Sequence, residues 1–136
     1  MLQFAWFELV DPLDELVNES GSHTLRPMNT SEVILVFCTF PDQDSARQVG
    51  TFMVETQLAA CVNLIPGVES IYRWQGAVES AQEVQTVFKT TRDRLPTFEQ
   101  TLLAHHPYDT PEIIVVRPEA FSERYSGWVK QSVIDG

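Results

Sequence analysis

The sequence predicts an α+β fold, the ferredoxin-like βαββαβ sandwich with an extra C-terminal helix. The first observation is the order of the periodic patterns: strand, helix, strand, strand, helix, strand, and a final helix. The second is the length, since 136 residues suffice for one domain with a core and not for two. Two strand–helix–strand halves in one small domain form an antiparallel four-stranded sheet with two helices on one face.

The first strand and the first helix follow from residues 33–58. Residues 33–39 (VILVFCT) place apolar side chains on both faces of an extended segment, which is typical of a central strand buried on both faces. Pro41 ends this strand, and Asp42 is a suitable N-cap for a helix that reaches about Leu58. The core-facing stripe of this helix is Ala46, Val49, Gly50, Met53 and Gln57.

The second and third strands form a long hairpin. Residues 60–65 and 68–74 have extended patterns, and Pro66-Gly67 between them predicts a bulge or bend. Gln75-Gly76 predicts the turn, and the returning strand is best defined over residues 83–91. Tyr72 and Trp74 fall on one face of this hairpin.

The second half of the domain contains a helix, a strand and a terminal helix. Asp93 begins the helix, Pro96 lies in its first turn, and His105-His106-Pro107 ends it. Residues 112–116 form a β-branched strand. Ser122 caps the last helix, whose inward face is predicted to contain Tyr125, Trp128 or Val129, and Val133. Because no element covers the second face of the sheet, we expect an oligomer.

Residues 1–29 differ from the domain that we assign to residues 30–136. They carry five acids against one base, followed by a linker-like stretch around residues 18–22, and we expect a loosely held extension. Met28 precedes the first strong strand, so we also consider it as the natural start, with the upstream residues a misreading or a lineage-specific arm. The N-terminus lacks a basic region and no apolar run reaches about 20 residues, so we expect a cytoplasmic protein without a signal peptide or membrane span.

The charge excludes several classes of function. The net charge is -10, and an acidic surface repels nucleic-acid backbones and anionic membranes. The sequence has no GxSxG elbow, no glycine-rich phosphate loop and no CxxC pair. We therefore expect a protein that is not an enzyme and that contacts neither nucleic acid nor membrane.

Five motifs in order resemble those of the CutA divalent-cation tolerance family. Residues 58–63 (LAACVN), 70–76 (SIYRWQG), 87–90 (VFKT) and 106–112 (HPYDTPE) are similar to its signatures, and residues 38–42 (CTFPD) fit its opening strand. The resemblance implies a homotrimer of ferredoxin-like subunits, linked to tolerance of divalent cations and above all copper, with no established reaction. The departures are the acidic extension, Gln75 in place of the usual Glu, and Ala77 in place of the usual Lys.

The metal-ligand candidates centre on His106 and Glu112, which bracket a stiff proline-bounded turn. With a thiolate from Cys38 or Cys61 they would suit divalent copper or zinc, and His105 is an exposed, opportunistic donor. The alternative is structural: His106 caps the helix C-terminus, Glu112 accepts backbone hydrogen bonds, and both cysteines are small buried hydrophobes.

A second group of candidates would line a ligand cleft: Lys89, Tyr72, Trp74 and Tyr108. A lysine inside a strand needs a partner, so Lys89 either binds an anion between subunits or pairs with an acid such as Glu112. Interface packing is the alternative role of the aromatic residues. Besides metal binding, these features leave open a signalling trimer similar to the PII regulators and a trimeric scaffold for other proteins.

Overall fold

The structure, a computed structural model, describes residues 15–17, 23–25 and 32–134. In the N-terminal part, strand β1 (Glu15–Val17) pairs antiparallel with strand β2 (His23–Leu25). The rest of residues 1–31, including Met28, lies outside the described residues, so the predictions of a loose extension and of an alternative start stay predictions. Within the described part, no helix is both long and apolar enough to cross a bilayer.

A four-stranded antiparallel sheet forms the centre of the domain. Its strands are β3 (Val33–Phe40), β4 (Cys61–Trp74), β5 (Ala77–Thr91) and β6 (Ile113–Val116), in the spatial order β4-β5-β3-β6. Strand β3 is central, as its apolar run predicts: Cys38 pairs with Thr86 on one side and with Ile113 on the other.

Helix α1 (Gln43–Glu55) covers one face of the sheet. Its N-cap is Asp42, as predicted, and the Asp42 carboxylate accepts a 2.7 Å hydrogen bond from the Ser45 backbone N–H. The helix ends before the predicted Leu58, because Gln57 adopts a left-handed φ of 61° and turns the chain towards β4. The backbone N–H groups of Leu58 and Ala59 then both donate to the Met53 carbonyl.

The β4–β5 hairpin is longer and more continuous than predicted. Strand β4 runs through Pro66 with a register shift between Ile65 and Val68, which confirms the predicted bulge. The turn residues Gln75 and Gly76 have φ values of 51° and 84°, the positive values that a two-residue hairpin turn requires. Strand β5 begins directly after this turn, since its polar first half completes the antiparallel pairing with β4.

Helix α2 (Leu95–His105) packs beside α1 and closes the main core. It begins after a 3-10 turn at Arg92–Arg94, slightly later than the predicted start at Asp93, and ends with His106 as C-cap. Phe88 of the sheet and Phe98 of α2 meet edge to face at 5.1 Å. The predicted arrangement of two helices on one sheet face is therefore present.

Helix α3 (Glu123–Ser132) begins at Ser122, whose hydroxyl accepts a 3.0 Å hydrogen bond from the Tyr125 N–H, as predicted. Val129 and Val133 face inward and pack with Val33 and Ala60 in a second, smaller cluster. Of the two predicted alternatives, Val129 faces inward and Trp128, which is 48% exposed, does not. The prediction that Tyr125 faces inward was wrong, because its side chain is 41% exposed. The Tyr125 hydroxyl lies 3.5 Å from the Cys61 Sγ at the start of edge strand β4, and Trp128 lines an open groove with Val62 of the same strand, so the two rings are only partly covered.

Several large apolar side chains remain exposed on the sheet and hairpin. They are Ile65, Ile71, Val78 and Ile114. Their positions agree with the expectation that part of the sheet is not covered by the helices of its own chain. The oligomer itself stays a prediction.

Candidate functional site

The loop that follows α2 holds His106 in a buried, fully hydrogen-bonded position. Its ring stacks on Phe40 with centroids 4.3 Å apart. The His106 Nδ1 accepts a 2.9 Å bond from the Tyr108 N–H, and the Nε2 lies 2.8 Å from the Thr39 carbonyl, to which it donates. This network assigns the neutral Nε2–H tautomer, and burial lowers the pKa of His106 to about 4.

The same loop places Tyr108 against a buried carboxylate on β5. The Tyr108 hydroxyl donates a 2.6 Å hydrogen bond to Glu83 Oε2, and the two residues are only 5% and 2% exposed. Glu83 Oε1 is buried and has no hydrogen-bond partner among the described residues. Burial, followed by the bond to Glu83, raises the pKa of Tyr108 well above its ordinary value, so the phenol remains protonated.

Glu112 is the second carboxylate at this end of the sheet. It precedes Ile113, the β6 partner of Cys38, and its carboxylate accepts a hydrogen bond from the Gln85 side chain. Burial and then the charge of Glu83 raise the pKa of Glu112, while the bond from Gln85 lowers it. We call Glu83, Glu112 and Tyr108 the acidic cluster.

The predicted thiol ligand Cys38 lies in the core beneath this cluster. It is fully buried, and its Sγ is 3.8 Å from the Thr39 carbonyl, the oxygen that also binds His106. Burial first, then the charges of Glu112 and Glu83, raise the pKa of the Cys38 thiol. Cys38 is therefore a protonated, buried thiol in this structure.

The other two metal-ligand candidates lie elsewhere. Cys61 is at the start of edge strand β4, half-buried, with its Sγ 3.5 Å from the Tyr125 hydroxyl. His105 is on the outer side of α2, where its Nδ1 is 2.9 Å from the Thr101 carbonyl and its ring rests on Phe52. The structure thus brings His106, Glu112 and Cys38 to the same region and leaves Cys61 and His105 outside it.

Proximity alone does not form a chelating set within one chain. Across the described ranges, no group of three or more His, Cys, Asp or Glu side chains is arranged to hold a metal ion. Both ring nitrogens of His106 are already engaged, and the thiol of Cys38 is protonated. The unsatisfied polar atoms at this end of the sheet are oxygens, namely Glu83 Oε1 and Thr39 Oγ1.

Of the four predicted cleft residues, Tyr72 and Tyr108 lie near Glu83, whereas Trp74 and Lys89 lie elsewhere. Tyr72, which hydrogen-bonds to Glu79 across the hairpin, is close enough to Tyr108 and Glu83 for their charges to interact. Trp74 pairs with Ala77 at the end of the hairpin. Lys89 lies opposite Leu35, away from Glu83 and Glu112, and its ammonium donates to the side-chain oxygen of Asn63. The suggested Lys89–Glu112 pair is therefore not formed.

Glu83 is the residue that sequence reasoning missed. A charged residue inside a strand was treated as a signal at Lys89, and the same argument applies to Glu83, which lies between Gln82 and Val84 in β5. What the pattern does not contain is the burial of Glu83, which depends on the Tyr108 loop folding over it.

Comparisons with known proteins agree with the motifs. Residues 34–132 match the family model described as CutA1 divalent ion tolerance protein. The chain is 36% identical over 118 residues to a chloroplastic CutA protein of Arabidopsis thaliana, a match covering 85% of this chain and 65% of that protein. It is 38% identical over 104 residues to a divalent-cation tolerance protein CutA of Yersinia pestis (strain Pestoides F), covering 76% and 87%. The crystal structure of CutA from Xylella fastidiosa superposes with a TM-score of 0.74 at 38% identity, over 76% of this chain and 99% of that one.

Proposed function

Because this chain belongs to the CutA1 divalent ion tolerance family, we propose that it acts as a homotrimer that binds divalent metal, copper or zinc, in a tolerance role. The role is one of binding and response without catalysis, and its location is the cytoplasm. The relatives' names describe tolerance of divalent cations, and the name of the Arabidopsis relative adds a chloroplast location for that protein.

The observation that carries the proposal is the partly unsatisfied carboxylate of Glu83. A buried carboxylate oxygen without a partner costs free energy, which a bound cation would offset. Glu112 lies close enough for the charge of Glu83 to raise its pKa, so a cation between the two would also relieve their repulsion. Carboxylates are ligands for divalent cations, and the chain's net charge of -10 favours their approach.

The carboxylate oxygens of Glu83 and Glu112 are the donors most available to a cation, and His106 and Cys38 would bind it only after giving up an existing bond or a proton. His106 becomes a ligand only if it gives up its bond to the Thr39 carbonyl or to the Tyr108 N–H. Copper and zinc favour imidazole, so their binding is expected to compete with one of these two bonds. Cys38 would need to lose a proton inside the core, which makes it the last donor to engage.

The trimer forms from ferredoxin-like subunits through their uncovered surfaces. Ile65 on edge strand β4 and Ile114 on edge strand β6 are each 47% exposed, and both edges offer free backbone groups for pairing. Light scattering during gel filtration tests the assembly, with three chain masses expected. A particle of one chain mass at micromolar concentration would refute this part of the proposal.

Copper and zinc titration calorimetry tests the site. Wild-type protein is expected to take up about one ion per chain, and Glu83→Gln and Glu112→Gln are each expected to weaken binding by about tenfold or more. Glu55→Gln, an exposed acid on α1, is the matched control and should leave affinity unchanged.

His106→Ala separates the two classes of donor. A loss of copper affinity with retained manganese affinity would identify the imidazole as a copper ligand. Equal affinities in wild type, Glu83→Gln and Glu112→Gln would remove the acidic cluster as the site.

A further inference from the structure

The central sheet separates two kinds of donor at its acidic end. Cys38 and Phe40 of β3 and Val84 of β5 belong to the main core, so their side chains point towards helices α1 and α2. Successive residues of a strand point to opposite faces of the sheet, so Thr39 of β3 and Glu83 of β5 point away from these helices. We call the face that carries Thr39 and Glu83 the outer face.

The strand register brings polar side chains of the outer face together around Gln85. Thr39 pairs directly with Gln85, and Glu83 lies two residues before Gln85 on the same face of β5. Glu112 accepts a hydrogen bond from the Gln85 side chain, and Glu83 is close enough for the two carboxylate charges to interact. Thr39, Glu83 and Glu112 are therefore all neighbours of one residue.

Two buried oxygens of the outer face have no hydrogen-bond partner among the described residues. They are Thr39 Oγ1 and Glu83 Oε1, in side chains that are 3% and 2% exposed. The Tyr108 hydroxyl supplies a further oxygen, because a phenol that donates to Glu83 Oε2 can still act as an acceptor. Buried oxygens of this kind need a donor or a cation, since leaving them unpaired costs free energy.

A donor set made of oxygen alone selects a class of cation. Carboxylate, hydroxyl and water oxygens are the ligands of small hard cations such as Mg²⁺ and Mn²⁺, whereas thiolate and imidazole favour copper and zinc. The Cys38 thiol lies on the core side of the sheet, and both ring nitrogens of His106 are engaged. A cation on the outer face can therefore bind oxygens while the His106 bonds and the Cys38 proton stay in place.

We propose that Thr39, together with Glu83 and Glu112, is a ligand of a small hard divalent cation of the Mn²⁺ or Mg²⁺ class on the outer face. The inference rests on the acidic cluster of the proposed function, and it adds the class of cation and a ligand from outside that cluster. Water molecules complete the coordination, since such cations retain several of them. Copper and zinc compete for the same oxygens, because they bind oxygen donors at least as tightly as Mn²⁺ does.

Titration of the whole chain with Mn²⁺, followed by the electron paramagnetic resonance signal of free Mn²⁺, tests the site. The wild type is expected to bind about one Mn²⁺ per chain, with Mg²⁺ as a competitor. Thr39→Val keeps the shape of the side chain, removes the hydroxyl and should weaken Mn²⁺ binding by about tenfold or more. Thr39→Ser keeps the hydroxyl and should bind Mn²⁺ as the wild type does.

The matched control is Thr86→Val, which makes the same change on the core face. The Thr86 hydroxyl donates a 2.7 Å hydrogen bond to the Cys38 carbonyl, so this variant should unfold at a lower temperature and keep its Mn²⁺ affinity. In the presence of a chelator, Thr39→Val should be at least as stable as the wild type, because it removes a buried hydroxyl that has no partner among the described residues. Added Mn²⁺ should then raise the unfolding temperature of Thr39→Val less than that of the wild type or of Thr86→Val.

Three results would overturn the inference. Equal Mn²⁺ affinity in the wild type and Thr39→Val would show that the hydroxyl is not a ligand. Copper binding that depends on Glu83, without saturable Mn²⁺ binding, would refute the class of cation and leave the proposed function standing. Mn²⁺ and copper affinities that are both unchanged in Glu83→Gln would refute the inference and the proposed site together.

A second substitution keeps the test decisive if the valine variant does not fold. Thr39→Ala removes the same oxygen without a branched side chain. Weaker Mn²⁺ binding in Thr39→Ala than in Thr39→Ser supports the role of the hydroxyl, and equal binding in the two variants refutes it.

Discussion

The hydroxyl of Tyr108 donates a 2.6 Å hydrogen bond to the carboxylate of Glu83, and both side chains are almost completely buried. This bond fastens the loop after α2 to strand β5. It also gives the buried carboxylate the one partner identified for it, since the other oxygen has none among the described residues.

Tyr108→Phe removes this bond and takes from the Glu83 carboxylate the one donor identified among the described residues. We expect the free energy of unfolding to fall by about 1–3 kcal/mol, the cost of an unsatisfied buried acceptor. Urea unfolding at matched protein concentration measures it, because assembly makes stability depend on concentration. The control Tyr125→Phe changes a 41% exposed ring and should cost less than about 0.5 kcal/mol; equal losses in the two variants would contradict the role of the bond.

Stability should depend on pH through His106. Burial lowers the pKa of His106 from 6.5 to about 4 in the folded chain, so the unfolded chain binds the proton more readily. The contribution of neutral His106 is therefore fully present above about pH 6.5 and is lost progressively as the pH falls towards 4.

The pH effect is measured as the difference between wild type and His106→Gln, which cancels the carboxylates that titrate in the same range. As the pH is lowered from about 6.5 to about 4, the free energy of unfolding of the wild type should fall more steeply than that of His106→Gln. Parallel curves would show that His106 does not titrate with a lowered pKa, and an NMR titration of the imidazole would confirm which is true.

Cys38 should be chemically inert in the folded protein. Its side chain is fully buried and its pKa is raised by burial and by the nearby carboxylates, so neither access nor thiolate is available. In a Cys61→Ser background, we expect labelling to be slower than in denaturant by a factor of about 100 or more. A rapid reaction of one thiol per folded chain would show that this part of the core opens easily.

Thr90 ties strand β5 to the turn after α1. Its buried hydroxyl donates a 2.6 Å hydrogen bond to the Leu58 carbonyl. Thr90→Val keeps the shape and removes the donor, and we expect a loss of about 1–3 kcal/mol in urea unfolding. The control Thr90→Ser keeps the hydroxyl and loses one methyl group, which should lower the free energy of unfolding by about 0.8 kcal/mol. A valine variant that is more stable than the serine variant would show that the hydrogen bond to Leu58 contributes little.

The sequence predicted the helix caps, the hairpin turn and the bulge correctly, because each depends on residues only a few positions apart. Asp42 and Ser122 cap their helices through the backbone N–H groups three residues ahead. Gln75-Gly76 forms the hairpin turn because both positions tolerate positive φ. The bulge between Ile65 and Val68 follows from Pro66, which cannot donate to the sheet.

The sequence predicted only part of the site, because the contacts of its residues form between segments that are distant along the chain. The family motif identified His106, Tyr108 and Glu112, yet it did not show that both ring nitrogens of His106 are occupied. Nor did the pattern show which residue Tyr108 contacts. Glu83 lies 25 positions earlier in the chain, and only the folded loop brings the two together.

The sequence by itself determined the order of the elements, their caps and the central position of β3, because periodicity, capping and turn residues act over a few positions. The tertiary structure alone decided that Glu83 is buried beneath Tyr108 and that Trp128 is exposed beside edge strand β4. Burial depends on which distant elements cover a side chain. That coverage is set by packing between segments, which the spacing of residues along one segment does not contain.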